Sequence, residues 1–265
     1  LLLLLSTNSA LAISRNCTAS EKETANQQLL VIKNSSDLKE SIIARHLPFG
    51  AHQSTVVNDN SQLLFQNGYV MSHDPDLRTA IWSSYRLDAS DIQGASGQDR
   101  VNCFRKDPRL DKSIAATPAD YNEPVYDQGH MANDADMKDD LIEQINTYVM
   151  SNMSPQHCRF NRGIWLSLEH LTRIWANEGA YDNILVTSGA IFDRDANGVR
   201  DLDRDALMME SRSNKKRVAV PTHYFKIILR QDESGWKSIS FLLDHDNDDD
   251  GTSWNEVKPD VMTTI

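Results

Sequence analysis

Two kinds of apolar segment alternate along this chain, and together they limit the folds that it can adopt. Residues 184–191 and 218–229 are rich in β-branched and aromatic side chains and are largely apolar, which is typical of central strands. Between Ile164 and Trp175, by contrast, the apolar side chains recur at spacings of four, three and four residues, which is the spacing of one helix face. A chain with both kinds of segment is expected to form a mixed domain of helices packed on a sheet.

The same patterns predict further elements around these two. Asp-Pro-Asp within residues 73–76 is a turn signal between two apolar runs, and the segment that follows the second run lacks periodicity. The predicted elements are a short helix over 37–43, a β-hairpin of 63–69 and 80–87, a long loop over 88–124, a helix over 139–150 and a strand over 239–243. A loop of that length inside a compact domain is usually functional.

Composition excludes several classes of protein. Of the 265 residues, 40% are hydrophobic, which is enough for one sizeable core and argues against a disordered chain. Thirty-eight acidic and 27 basic residues give a formal net charge of −11, so the chain does not hold nucleic acid by bulk positive charge. No apolar run reaches the roughly 18 to 20 residues that a membrane span needs.

The N-terminal end of the sequence suggests an exported protein, and the C-terminal end suggests a truncation. Residues 1–12 begin with five leucines and end in Ala-Leu-Ala, a small-x-small triplet of the kind that signal peptidase cleaves. We therefore expect the remnant of a signal peptide and a secreted or periplasmic mature chain that starts near Ile13; the alternative is a fraying apolar N-terminus. Residues 254–265 stop without a helix cap or closing strand, which suggests a C-terminal truncation.

Export would place the three cysteines in an oxidising compartment, where disulfides persist. Cys103 and Cys158 lie beside the polar motifs described next, so we favour a bridge between them, with Cys17 left over. A zinc site of Cys103, His157 and Cys158 is the alternative, although adjacent His and Cys lack the usual ligand spacing.

Polar motifs between residues 127 and 169 carry the side chains that phosphodiester hydrolysis requires, namely a base for water, a ligand for a cation and donors for the phosphate. The motifs are DQGH at 127–130, SNMSPQ at 151–156, FNRGIW at 160–165 and a glutamate at 169. Each of them alone is a weak signal, and a histidine after a glycine is more often structural than catalytic.

The side chains in these motifs fit such a site. His130 has an ordinary pKa of about 6.5 and can accept a proton near neutral pH. Asn161 offers a neutral amide oxygen, which Mg²⁺ accepts while keeping most of its waters. On a regular helix, Glu169 would lie about 80° around the axis from Asn161, within reach of the hydration shell of the metal. Gly129 would leave room for a close approach of the substrate backbone.

The order and spacing of these motifs resemble the DNA/RNA non-specific endonuclease family, the ββα-metal or His-Me finger nucleases, over roughly residues 48–229. The resemblance implies an α+β fold of the ββα-metal type, with a central, mostly antiparallel sheet flanked by helices. We accordingly divide the chain into a signal remnant at 1–12, an N-terminal lead-in at 13–60 without evident chemistry, and a nuclease domain at 61–265.

The resemblance also implies an activity and a set of partners. It implies an endonuclease that depends on Mg²⁺, with Mn²⁺ as a substitute, acts on DNA and RNA, and leaves 5′-phosphate ends. No membrane partner is expected, because no apolar run is long enough for a span, and the oligomeric state stays open, a homodimer included. By the same resemblance, His130 is the general base, Asn161 the metal ligand, Glu169 the partner of metal-bound water, and Asn152 a positioning residue near the histidine.

One departure from the family concerns phosphate binding. The family usually has arginine where this chain has Gln128, so another cation is expected to compensate. The family also uses an arginine upstream of its histidine to stabilise the transition state, in a segment that resembles residues 100–107. The resemblance implies Arg100 first and Arg105 second, since the local register is ambiguous. Arg162 is a further phosphate contact, beside the substrate-binding residues Asp127, Gln128 and Gly129.

Two other functions stay open at this point. One is a metal-dependent phosphodiesterase or phosphatase of the same fold that acts on another phosphate ester. The other is a non-catalytic exported module stabilised by calcium, because residues 193–198 and 246–251 each match the first half of a calcium loop without its closing glutamate. A basic cluster at 212–217 is either a phosphate-steering patch or a solvated loop.

Overall fold

A computed structural model describes residues 14–52, 60–95, 98–121, 123–177, 184–209 and 218–245. Its strands are β1 (Ser14–Asn16), β2 (Gln62–Phe65), β3 (Val70–Asp74), β4 (Thr79–Leu87), β5 (Arg100–Asn102), β6 (Tyr126–His130), β7 (Met153–His157), β8 (Ile184–Ile191), β9 (His223–Asp232) and β10 (Gly235–Asp244). Its α-helices are α1 (Ala19–Lys33), α2 (Ser36–His46), α3 (Ala89–Gly94), α4 (Leu141–Thr147), α5 (Cys158–Phe160) and α6 (Leu166–Asn177).

A six-stranded antiparallel sheet forms the centre of the fold, in the order β10-β9-β8-β4-β3-β2. Burial explains the order, since β8 in the middle is buried along nearly its whole length and reads as a continuous apolar run. The expected α+β fold with a mostly antiparallel sheet is therefore confirmed.

A smaller unit beside this sheet carries most of the polar motifs. Strands β6 and β7 form an antiparallel pair in which His130 lies opposite Met153, and the chain continues from β7 directly into α5 and α6. The Thr79 hydroxyl donates to the Met153 carbonyl at 3.0 Å, and the Tyr224 hydroxyl donates to the Pro155 carbonyl at 3.0 Å, so the pair is tied to the central sheet. This strand–strand–helix unit is the ββα arrangement that the resemblance implied.

The apolar side of the helical segment that runs from Ile164 into α6 joins the unit to the sheet. Trp165, Leu168 and Ile164 are buried in the main core together with Tyr85 and Tyr224 of the sheet. The stripe predicted from the sequence therefore faces the core, as its helical spacing indicated.

Several element boundaries differ from the predictions. The first predicted strand, 63–69, is interrupted at residues 66–69, and a separate strand β3 follows. The helix expected over 139–150 covers only Leu141–Thr147, because Asp140 caps its start and the chain turns out of the helix at Tyr148. The loop expected over 88–124 contains α3 and β5. The strand expected from 218 begins at His223.

The segment expected to be a simple lead-in is helical. Helix α2 includes the short helix predicted over 37–43, whereas α1 was not predicted. Thr18 starts α1 with a capping box, in which its hydroxyl accepts from the Glu21 amide and the Glu21 carboxylate accepts from the Thr18 amide. Helix α1 then packs against α4 through Ala25. The domain division itself stays a prediction.

The predicted disulfide is wrong. Cys17 is bonded to Cys103, and Cys158 is free. The reason is the parallel pairing of β1 with β5, which brings the residues that follow the two strands side by side, with Cα atoms 5.2 Å apart. This bond also removes Cys103 from any zinc site with His157 and Cys158.

Some predictions concern parts of the chain that the structure does not describe. The signal remnant at 1–12, the basic cluster at 212–217, the acidic segment at 246–251 and the C-terminal end all lie outside the described residues. Within the described part, no helix is both long and apolar enough to span a membrane.

Candidate active site

A cleft of about 810 Å³ lies between the ββα unit and the segments around β5 and residues 133–138. The structure brings most of the predicted site residues to its wall: Arg100, Asp127, Gln128, His130, Asn161, Arg162 and Glu169. Four cationic side chains and three carboxylates line it, so this cleft is locally less acidic than the chain as a whole. Local positive charge of this kind is what an acidic protein needs to bind a polyanion.

His130 lies at the end of β6, with 8% of its surface exposed. Its ring meets the Tyr148 ring edge-on at 4.7 Å between centroids, and Phe104 lies at 6.0 Å. Among the described residues, its buried Nε2 atom has no hydrogen-bond partner. Burial lowers the pKa of His130 to about 4, so the ring is neutral at pH 7 and can accept a proton.

Asn152 fixes the backbone that follows His130 and does not line the cleft. Its side chain accepts from the Ala132 amide at 2.9 Å and donates to the Ala132 carbonyl at 2.9 Å and to the Thr147 carbonyl at 2.8 Å. The Asn152 carbonyl also accepts from the Met131 amide. This fully buried side chain thus holds the main chain that follows the histidine, and its positioning role stays a prediction.

Asp127 orients Asn161 across the cleft floor. The Asn161 Nδ2 atom donates to Asp127 Oδ2 at 2.9 Å, which turns the amide oxygen of Asn161 to the other side of the group. Arg162 binds the same carboxylate through two nitrogens, at 2.9 and 2.7 Å. Asp127 therefore holds two neighbouring side chains of the helical segment, in addition to any contact that it makes with substrate.

The helix between Asn161 and Glu169 is irregular, so the predicted angle of about 80° between them does not apply. Residues Asn161–Trp165 form a π-type turn, and Gly163 leaves the helical region with φ −102° and ψ −109°. The Ser167 hydroxyl donates to the Gly163 carbonyl at 3.0 Å at this irregularity. Such turns inside helices are frequent at functional sites. Both Asn161 and Glu169 nevertheless line the same cleft.

Glu169 is buried where the cleft meets the core, and burial raises its pKa to about 7, although Lys226 and Arg173 oppose the shift. Burial likewise lowers the pKa of Lys226, whose ammonium group donates to Ser188 Oγ at 2.7 Å and lies 4.2 Å from the Trp165 ring centre. A carboxylate held in such surroundings can exchange a proton or a hydrogen bond near neutral pH.

Arg100 reaches the cleft and Arg105 does not. The Arg100 guanidinium is tied to Asp134 Oδ2 at 2.9 Å and to the Tyr148 hydroxyl at 2.8 Å, and half of its side chain is exposed. Arg105 is 2% exposed and donates to Asn26, to Asn146 and to main-chain carbonyls. Arg105, the second candidate, is therefore structural, because its guanidinium N–H groups are hydrogen-bonded at the junction between α1 and α4.

Gly129 is required by packing within the strand pair. A Cβ atom built on Gly129 would lie 2.1 Å from Oε1 of Gln156, a fully buried side chain of β7. The close approach is thus to the protein itself, whereas the sequence had suggested an approach of substrate.

We expect Gly129→Ala to lower the free energy of unfolding by about 1–3 kcal/mol, because the added methyl group overpacks the interface of β6 and β7. Thermal unfolding of the oxidised protein measures the effect. The matched control is the double variant Gly129→Ala/Gln156→Ala, which removes the obstructing atoms and should regain stability. A single variant as stable as the wild type would contradict the packing account.

Sequence reasoning missed several cleft residues: Phe104, Asp134, Lys138 and Arg173. Arg173 had a usable signal, because it lies four residues after Glu169 on α6 and so shares its face. Its guanidinium is bound to Asp136 at 2.9 Å, and Asp136 also accepts from the Tyr85 hydroxyl. Asp134 had no such signal in the sequence. It reaches Arg100 because the chain makes a short 3₁₀ turn at Asp134–Met137.

The residues in the cleft fit a divalent cation held by few protein ligands. Asn161 supplies an oriented amide oxygen, and Glu169 supplies a buried carboxylate. Mg²⁺ is commonly held by one or two oxygen ligands with several waters. Two groups of three carboxylates elsewhere, at Asp74, Asp76, Asp203 and at Asp193, Asp195, Asp201, lie outside the cleft. In the first group the Arg200 guanidinium already bridges Asp74 and Asp203.

Comparison with known proteins places the chain in a family. The model of the DNA/RNA non-specific endonuclease family matches residues 50–263. Human mitochondrial endonuclease G is 30% identical over 178 residues, which cover 66% of this chain and 57% of that protein. Nuclease C1 of Cunninghamella echinulata var. echinulata is 30% identical over 185 residues, which cover 68% of this chain and 70% of that protein. The chain belongs to the DNA/RNA non-specific endonuclease family.

A solved structure supports the fold. A chain in the crystal structure of the EndoG/EndoGI complex superposes with a TM-score of 0.65 at 21% identity, over 87% of this chain and 86% of that one. The chain spans only slightly more than half of the length of the mitochondrial endonuclease G proteins that it resembles.

Proposed function

We propose that this protein is an exported endonuclease that hydrolyses phosphodiester bonds of DNA and RNA with Mg²⁺, or Mn²⁺ in its place, and leaves 5′-phosphate ends. The observation that carries the proposal is the meeting, in one cleft, of a buried, neutral histidine and an asparagine whose amide is oriented by Asp127. Membership of a nuclease family supports the same assignment.

The side chains of the cleft divide the work of hydrolysis among them. His130 takes a proton from the attacking water, because its ring lines the cleft and is neutral at pH 7. Asn161 and Glu169 hold the hydrated cation, which when bound neutralises charge on the phosphate and on the leaving 3′-oxygen. Arg100 stabilises the charge that develops on the phosphate.

The proposed enzyme binds phosphates and does not recognise bases, so we expect it to cleave without sequence preference. Arg100, Lys138, Arg162 and Arg173 are the cationic side chains of the cleft, and phosphate contacts carry no direct sequence information. Arg162 is exposed over 72% of its side chain and compensates for the arginine that is missing at Gln128.

Export is supported by the disulfide between Cys17 and Cys103. Structural disulfides persist in oxidising compartments and are rare in the cytosol of most organisms. The apolar residues 1–12 are the candidate signal for that export.

Substrate comparison tests the proposal directly. Oxidised protein is incubated with Mg²⁺ and, in separate reactions, supercoiled plasmid, a structured RNA or bis(p-nitrophenyl) phosphate, and the new ends are typed. Cleavage of both polymers with 5′-phosphate ends is expected. Hydrolysis of the small ester with intact polymers would favour the phosphodiesterase alternative instead. A folded protein without hydrolysis, whose melting temperature rises with Ca²⁺, would favour the binding module.

The orientation of Asn161 by Asp127 gives a prediction about metal affinity. We expect Asp127→Ala to weaken Mn²⁺ binding about tenfold or more, because residues that orient a metal ligand typically contribute 10–100-fold to affinity. Electron paramagnetic resonance of free Mn²⁺ measures the change without any turnover.

Asp127→Asn retains an oxygen that can accept from Asn161 and should lose less affinity than Asp127→Ala. Asp111→Asn is the matched control, since the exposed Asp111 carboxylate lies outside the cleft and accepts from the Ser113 amide and hydroxyl. Unchanged Mn²⁺ affinity in Asp127→Ala would show that Asp127 does not position the ligand.

A further inference from the structure

The N-terminal segment forms part of the cleft wall. Strand β1 runs parallel to β5, with Ser14 in register with Arg100, and both residues line the cleft. The match to the family model begins only at residue 50, so this segment lies outside the part of the chain that defines the family.

The covalent bond between Cys17 and Cys103 is the strongest attachment of β1. Its other contacts with β5 are the three-residue ladder, the Cys17 amide donating to the Asn102 carbonyl at 3.0 Å, and the Asn102 side chain donating to Ser14 Oγ at 2.8 Å. Arg15 of β1 also binds Glu21 of α1 through two nitrogens, at 2.9 and 2.7 Å. Two-stranded pairs are marginally stable in water even when they are longer. Without the disulfide, β1 is therefore expected to separate from β5.

The segment that this disulfide holds lies beside His130. Arg100 opens β5, and Phe104 follows Cys103 immediately. The Phe104 ring lies 4.9 Å from that of Tyr148 and 6.0 Å from that of His130, while Arg100 bonds to the Tyr148 hydroxyl. Residues 100–104 thus place the Arg100 guanidinium and the Phe104 ring close to His130.

Helix α1 is anchored independently of the disulfide. Ala25 is fully buried in a cluster with Val101, Ile145 and Tyr148. Asn26 accepts from Arg105 at 2.8 Å, and Gln28 accepts from Asn146 at 2.8 Å. Because Val101 is the middle residue of β5, this cluster also holds the centre of that strand. Loss of the disulfide should consequently free β1 and loosen Arg100 and residues 103–104 at the two ends of β5, while α1 stays in place.

We propose that the Cys17–Cys103 disulfide positions Arg100 and Phe104 beside His130, so that its reduction by a dithiol lowers nuclease activity. In that step the dithiol gives up two electrons and becomes a cyclic disulfide, while the bond between the two sulfurs breaks and each sulfur ends as a thiol. The inference rests on the proposed function, and it makes the activity dependent on an oxidising environment.

The rate of plasmid nicking before and after reduction tests the effect on catalysis. We expect dithiothreitol to lower the rate of the wild type about tenfold or more, since small misplacements of catalytic groups are costly. Cys17→Ser/Cys103→Ser should show the low rate without reductant. Cys158→Ser is the matched control and should respond to dithiothreitol as the wild type does.

Arg100→Ala separates positioning from general loss of stability. If the disulfide acts through Arg100, reduction should cause a much smaller loss of rate in this variant than in the wild type. Equal proportional losses in both would overturn the proposal, as would a wild type that keeps its full rate after thiol titration shows the bond to be open.

Hydrogen exchange measured by mass spectrometry gives a readout that needs no turnover. Reduction should speed exchange at residues 14–17 and 100–104 and leave β8 and α1 protected. Unchanged exchange at 100–104, or faster exchange throughout the chain, would contradict local positioning. An oxidised wild type without nuclease activity would instead contradict the proposed function, and the exchange experiment would still decide the positioning.

Discussion

His130→Ala is expected to lower the rate of phosphodiester hydrolysis by about 10²–10⁴-fold, which is the usual contribution of a general base. The ring is neutral at pH 7 because burial lowers its pKa, and its Nε2 atom has no competing partner among the described residues. No other histidine lines the cleft as the structure describes it. The single-turnover rate on supercoiled plasmid at saturating Mg²⁺ measures the loss.

Two comparisons show whether this loss reflects proton transfer. His223→Ala is the matched control, since His223 begins β9 outside the cleft and should leave the rate unchanged. Added imidazole should restore part of the rate of His130→Ala, because the deletion leaves a cavity beside Tyr148 and Phe104. A variant that keeps more than a tenth of the wild-type rate would argue that another group is the base.

Asn161→Ala is expected to lower the rate about a thousandfold, since a bound cation contributes several kcal/mol of transition-state stabilisation and each 1.36 kcal/mol is a factor of ten. The amide oxygen of Asn161 is the neutral ligand in the cleft that Asp127 orients. Rates measured across a range of Mg²⁺ concentrations would show whether high metal restores activity.

Direct binding separates the loss of metal from a change in folding. Mn²⁺ titration followed by electron paramagnetic resonance should show weaker binding in Asn161→Ala and wild-type binding in Asn177→Ala, an exposed asparagine at the end of the same helix. Wild-type Mn²⁺ affinity together with an inactive Asn161→Ala would place the metal elsewhere in the cleft.

Local patterns were sufficient to predict the main elements and most of the site. The apolar run of β8 was predicted with its observed boundaries, and the stripe from Ile164 to Trp175 faces the core as its spacing indicated. Three of the four motifs at residues 127–169 meet in one cleft because β6, β7 and the following helix are consecutive in the chain, and the fourth, at 151–156, lies behind the cleft wall. In such a compact unit, residues that are near in sequence are also near in the structure.

Contacts between distant segments were not predictable in the same way. The pairing of β1 with β5 joins residues 86 positions apart, and it decides that Cys103 bonds to Cys17. The burial of Arg105 depends on α1, whose polar, capped sequence gave little periodic signal. The π-type turn at Asn161–Trp165 changes the geometry of the metal site through one residue, Gly163, whose conformation no spacing rule indicates.

The most direct test of the account is the nicking of supercoiled plasmid by oxidised protein that has been stripped of metal with EDTA. The account predicts no nicking by the stripped protein, recovery when Mg²⁺ or Mn²⁺ is added back, and no comparable recovery in Asn161→Ala. Nicking that persists at full rate in excess EDTA, or a folded protein that leaves the plasmid intact with either metal, would contradict it.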